Sequence, residues 1–168
     1  MTTQSLAKLK KYATKKACDL IDKYNDVKYA FETTPEGEPI LMMSYEDRLD
    51  ALYYNPETEN VEKAGIAYYS YQKDRTKEKN KFMYVGYIRS YDQRQGIGSL
   101  MMQYLERLAK ENDCKFIDLI AAAGTEGFYK KFGFKRNHNR KTMHHYAKDV
   151  GGLENNLNIT NSNNNSNL

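Results

Sequence analysis

The sequence predicts an α/β chain of the α+β kind, with mostly strands in its first half and helices among strands later, in a single domain. Short runs in the first half alternate apolar and polar residues and are separated by hairpin-type turns. After Gly96 the apolar period changes from two to roughly 3.6, as in a helix packed on one face. An apolar strand, a short helical stretch and a last hairpin then close the ordered part of the chain.

At the start, Ser5 is expected to cap a helix over residues 5–24. Leu6, Leu9, Ala13, Ala17, Leu20, Ile21 and Tyr24 recur at helical spacing, and Lys8, Lys11, Lys15 and Asp19 fill the other faces. A basic amphipathic helix can lie on a membrane or bind a partner helix. The simpler reading is a surface helix packed on its own domain. Val27–Thr33 alternates like a strand, Thr34-Pro35-Glu36-Gly37 reads as a turn, and Ile40–Ser44 as the returning strand. Asp50–Asn55 and Val61–Gln72 flank a second turn at residues 56–60. Lys73–Lys81 is a charged loop and Phe82–Ser90 the next strand.

A helix is expected from about Gly96 to Glu111, with Leu100, Met101, Tyr104, Leu105 and Leu108 on one face. Lys115–Ala122 is an apolar strand, followed by a short helix through Lys131. Gly133-Phe134 opens a hairpin whose second strand is Thr142–Lys148. Residues 1–150 form the expected domain, and the Asn-rich stretch 151–168 an expected disordered tail.

Bulk properties exclude several classes. A chain of 168 residues can bury its own core, and 40% hydrophobic residues exclude wholesale disorder. The net charge of +4 suits an anionic small ligand as well as nucleic acid. Cys18 and Cys114 stand in no metal or redox spacing, so a reduced, intracellular, cytoplasmic setting is expected. The histidines are His138, His144 and His145; with so few Cys and His, no metal site is expected. The first residues lack the apolar region of a secretory peptide, and no apolar run approaches the ~20 residues of a membrane helix. Asn158-Ile159-Thr160 and Asn164-Asn165-Ser166 fit the glycosylation pattern by accident.

The most informative segment is Ile88-Arg89-Ser90-Tyr91-Asp92-Gln93-Arg94-Gln95-Gly96-Ile97-Gly98-Ser99-Leu100. A strand ends, a glycine turn follows and an amphipathic helix begins. The first N–H groups of a helix have no internal partner, and the macrodipole adds partial positive charge there. That combination binds phosphate. Gly96 and Gly98 lack a Cβ, and Arg94 adds a full charge. A dinucleotide loop requires a third glycine where Met101 stands; a P-loop requires a Gly-Lys-Ser/Thr that is absent. A helix that merely begins with glycines is the bland alternative.

Downstream stands Phe128-Tyr129-Lys130-Lys131-Phe132-Gly133-Phe134. With both motifs in register, the segment from Gly65 to Lys148 resembles the GNAT superfamily of acyl-CoA N-acyltransferases. Gln93, Gly96 and Gly98 meet its [QR]-x-x-G-x-[GA] pattern; Phe128-Tyr129 and Gly133-Phe134 meet its aromatic-Tyr and Gly-Phe pairs. The resemblance implies a mixed, mostly antiparallel central sheet flanked by helices, and acetyl-CoA as co-substrate, with no metal. It assigns the CoA pyrophosphate to the amides of Gln93, Arg94, Gln95, Gly96, Ile97, Gly98 and Ser99. The pantetheine arm falls to the backbone of Ile88 and Ser90, on a strand that splays from the next. The family position of the group that protonates the leaving thiolate falls on Tyr129.

The implied reaction is direct attack of a primary amine, from a small molecule or a protein, on the thioester in a ternary complex. Some members place a glutamate base on the motif strand, where this chain has Phe82. Tyr84, Asp118, Glu46 and Asp47 are weaker candidates, a water chain is equally plausible, and no base is assigned. The family also begins with a strand and two helices, whereas here a helix leads into strands, so the acceptor site does not carry over. The alternative to an active enzyme is a CoA-binding sensor or interaction module. Nucleic-acid binding through the first helix lacks any RNA-binding motif. Acceptor, acyl length and a homodimer are left open.

Overall fold

The computed structural model describes residues 2–74, 80–91, 96–137 and 145–151. Its elements, in order, are α1 (Thr2–Ile21), β1 (Lys28–Thr33), β2 (Pro39–Tyr45), β3 (Arg48–Asn55), β4 (Asn60–Lys73), β5 (Lys81–Ser90), α2 (Ile97–Glu111), β6 (Phe116–Ile120), α3 (Glu126–Lys131), β7 (Lys135–Arg136) and β8 (His145–Asp149). The strand order is β1-β2-β3-β4-β5-β6-β8-β7. β1 to β4 pair antiparallel in sequence order, β5 and β6 pair parallel, and β8 pairs antiparallel with both β6 and β7. The parallel pair requires a crossover, and α2 is the segment between its strands. This is the mixed, mostly antiparallel sheet with flanking helices that the sequence predicts. The expected tail 151–168 lies outside the described residues, apart from Gly151.

The chain divides into two compact units: Met1–Tyr69 with Tyr87–Tyr104, and Ser70–Gly86 with Leu105–Leu168. In the first, α1 packs on β2 and β3. Leu9, Ala13 and Leu20 are buried together with Leu41, Met43 and Leu52. Burying each leucine is worth about 1.5–3 kcal/mol, so this face holds α1 on its own unit. Two details differ from expectation. The helix begins at Thr2, so Ser5 lies inside it rather than capping it; Thr and Gln carry only small helix penalties, and nothing before Ser5 stops the helix. Ile21, placed on the apolar face by spacing, is 67% exposed, because the chain leaves the helix there. Cys18 is exposed on α1.

Within the same unit, Asp50 is buried on β3. Arg48 Nε donates to it at 2.9 Å and the Tyr45 hydroxyl at 3.3 Å. Burial, followed by the Asp50 charge, pushes the Tyr45 hydroxyl up to about 12.

In the second unit, β5 pairs with β6 over Phe82–Val85 and Phe116–Leu119. Met83, Val85, Ile117, Leu119 and Tyr146 are buried on one face of this sheet. Lys148, on that face, donates to Glu106 at 2.7 Å. Cys114 is buried just before β6. Desolvation raises its thiol above the ordinary value, and Asp113 adds to the rise while Lys81 opposes it.

Candidate functional site

The first unit carries the glycine turn. Gly96 precedes α2 with φ +96°, a conformation L side chains rarely adopt. An added Cβ would lie 2.9 Å from Cδ of Pro35. Pro35 sits in the β1–β2 turn, where Gly37 N–H donates to the Thr34 carbonyl at 2.9 Å and Thr34 Oγ1 accepts from Glu38 N–H at 3.0 Å. Gly96 is therefore required both by backbone conformation and by close packing. Its carbonyl accepts the Leu100 N–H at 2.9 Å, the first bond of α2. Helix geometry leaves the N–H groups of Ile97, Gly98 and Ser99 without intrahelical partners.

Ile97 is fully buried. Gly98 and Ser99 are half-buried. Ile88 is half-buried on β5, and Ser90 is exposed at its end. Gln93, Arg94 and Gln95 lie outside the described residues. Thus Ile88, Ser90 and Gly96–Ser99 belong to one unit, with α2 opening as a helix N-terminus six residues beyond Tyr91.

Sequence reasoning missed what fixes the end of β5. The Tyr91 N–H donates to the Ala64 carbonyl of β4 at 2.8 Å. At the adjacent Gly65, a Cβ would lie 2.9 Å from the Arg89 carbonyl oxygen and 2.7 Å from Cε of Met101. A residue without a side chain is what lets the end of β5 and the first turns of α2 approach β4. A glycine inside a strand pattern is the signal that marks such an approach. The Arg89 guanidinium lies over the Tyr91 ring at 5.4 Å, adding a cation beside the turn.

The second unit holds Tyr129, on α3. It is 6% exposed, and its ring meets Phe128 and Phe134 edge-on at 5.2 and 5.9 Å. Its hydroxyl makes no hydrogen bond among the described residues. Desolvation raises its pKa above the ordinary value, so it stays protonated at neutral pH. The Phe134 N–H donates to the Tyr129 carbonyl at 3.1 Å, which links the two halves of the aromatic motif.

The base candidates separate clearly. Phe82 is buried and stacked on Phe116 at 4.8 Å, a core aromatic with no proton chemistry. Glu46 and Asp47 are exposed in the β2–β3 turn. Tyr84 is half-buried and registers with Asp118. Asp118 is 1% exposed, and its Oδ1 lies 3.7 Å from Nδ1 of His145. No group of three or more His, Cys, Asp or Glu among the described residues is arranged to hold a metal. No described helix is long and apolar enough to cross a membrane.

Residues 57–136 match the family described as "Acetyltransferase (GNAT) domain". Among curated proteins no sequence matches the chain. Two solved structures share its fold. The crystal structure of a KacTA–DNA complex aligns at a TM-score of 0.51 and 13% identity, over 67% of this chain and 72% of that one. That of AtaTR bound with AcCoA aligns at 0.50 and 12% identity, over 69% and 74%.

Proposed function

Residues 57–136 match the GNAT acetyltransferase family, and on that premise we propose that the chain is an acetyl-CoA-dependent N-acetyltransferase acting on a primary amine. The observation that carries the reading is the start of α2. There a glycine with φ +96° opens a 15-residue helix whose first amides have no internal partner. The pyrophosphate is assigned to the amides of Gln93–Ser99 and the pantetheine arm to the backbone of Ile88 and Ser90. The proposed acyltransferase domain runs over residues 1–150.

The acceptor, a small molecule or a protein amino group, must first lose a proton, since an alkyl ammonium has a pKa near ~10. Its nitrogen attacks the thioester carbon, the carbon–sulfur bond breaks and the sulfur leaves with the electron pair. Tyr129 gives its hydroxyl proton to that sulfur and recovers one, through water, from the nitrogen, which loses a proton as the amide forms. A tyrosine whose ring is buried, whose pKa is raised and whose hydroxyl makes no hydrogen bond among the described residues suits a proton held in reserve.

One observation favours a second reading, a CoA-binding module without catalysis: the stacked Phe82 stands where some family members carry a base. Two measurements test both. Acetyl-CoA at millimolar concentration should raise the melting temperature, because a ligand of the native state stabilises it. Amines supplied with acetyl-CoA should then release free thiol. Stabilisation without thiol release establishes the second reading, and no stabilisation overturns both.

A further inference from the structure

The second unit holds a titratable pair that the proposed chemistry has not yet used. Strand register fixes which side chains share a sheet face. Tyr84 pairs with Asp118, Asp118 with Ala147, and His145 with Ile120. Side chains alternate along a strand, so Tyr84, Asp118, Ile120 and His145 lie on one face, opposite the face that carries Lys148. Ile120 is 50% exposed, so this face opens to solvent where β6 ends.

Asp118 is buried, and its Oδ1 lies 3.7 Å from Nδ1 of His145. Nδ1 is itself buried and has no hydrogen-bond partner among the described residues. The His145 side chain keeps 13% of its exposure, which comes from atoms other than Nδ1. A carboxylate accepts only, so it favours the tautomer with the proton on Nδ1. Nε2 is then left with its lone pair. At 3.7 Å the contact is too long for a hydrogen bond, but such bonds often tighten only when substrate is present.

From this geometry we propose that His145 is the general base of the reaction and Asp118 its positioning residue. This rests on the acetyltransferase reading. His145 stands at the level of Ile120, one step beyond the last β5–β6 pair, Val85 with Leu119. That level on β5 is Gly86, in the same unit. Nε2 takes one proton from the acceptor ammonium, directly or through one water, leaving a neutral amine and an imidazolium. The Asp118 charge stabilises the imidazolium, which later returns its proton to solvent. No electron transfer or further reactant is involved. The other charged or titratable groups placed on this face by register are Tyr84 on β5, Lys135 on β7 and Asp149 on β8. Asp149 is separated from His145 by Ala147, and Lys135 and Asp149 are exposed.

The test uses the full chain, acetyl-CoA and an amine panel, comparing wild type with His145→Gln and Asp118→Asn across pH. His145→Gln should lower kcat/KM by about 10²-fold or more and remove the acid limb that a histidine base imposes on the pH profile. Acetyl-CoA affinity and melting temperature should stay near wild type. Asp118→Asn should shift that limb; if it fails to fold, the His145→Gln profile decides alone. A His145→Gln rate within threefold of wild type, with the same pH profile, overturns the base and leaves the acetyltransferase reading standing. A wild type that binds acetyl-CoA yet releases no thiol with any amine overturns both.

Discussion

Gly65→Ala tests the packing that holds the glycine turn in place. The new Cβ would lie 2.9 Å from the Arg89 carbonyl oxygen and 2.7 Å from Cε of Met101. The methionine end is flexible and can turn away. The carbonyl belongs to the backbone of β5 and cannot, so the strand end must shift. Overpacking of this kind costs about 1–3 kcal/mol. Displacing Arg89 also strains the nearby 2.8 Å bond from Tyr91 N–H to the Ala64 carbonyl, worth about 1 kcal/mol. Together these give about 2–4 kcal/mol. For a domain of this size each kcal/mol moves the melting temperature by roughly 2–4 °C, so a fall of about 4–16 °C is expected. Thermal unfolding followed by circular dichroism measures it. Isothermal titration should also show weaker acetyl-CoA binding, because Ser90 and the turn move with Arg89. Melting within 1 °C of wild type, with unchanged affinity, would show that β4 and β5 have slack at this point and refute the reasoning.

Gly96→Ala should cost about 2–4 kcal/mol, from the strained φ together with the Pro35 contact, read as a lower urea midpoint with an unchanged slope. Tyr129→Phe should lower kcat by roughly 10²–10⁴-fold where breakdown of the intermediate limits the rate, leaving acetyl-CoA affinity and melting nearly unchanged; activity within twofold under those conditions removes the hydroxyl from the mechanism. The Tyr45 hydroxyl, held at about 12 in the folded chain against about 10 when unfolded, makes an alkaline prediction. Its contribution is fully present below pH 10 and is lost as pH rises towards 12, because the unfolded chain gives up the proton first. Melting temperature should therefore fall over that window, and Tyr45→Phe should flatten the fall.

Most of the fold was legible because periodicity reports which face is buried. The run Leu100, Met101, Tyr104, Leu105, Leu108 is buried as its spacing predicts, and the strands fall within a few residues of expectation. The turn at Gly96 was legible because phosphate-binding helix starts carry a local signature. What was not legible depends on pairings between distant segments. Gly65 looks ordinary until β5 is laid beside it. Asp118 stands out as one acid in the apolar run Phe116-Ile117-Asp118-Leu119-Ile120, but only the β6–β8 register brings His145 to it. Ile21 fitted the helical spacing and still points to solvent, since a helix end buries less than its middle.

The two cysteines give the chain an internal clock. Cys18 is exposed on α1, so an aromatic disulfide reagent will titrate it at once. That sets a constant background of one equivalent in any assay that counts released CoA thiol. Cys114 is 2% exposed and its thiol is held above its ordinary pKa, so it reacts only when the chain opens around it. After the first burst, the slow second phase counts openings of the segment leading into β6. Adding acetyl-CoA and watching whether that phase slows would report how far ligand binding propagates into the strand that carries Asp118, without any engineered probe.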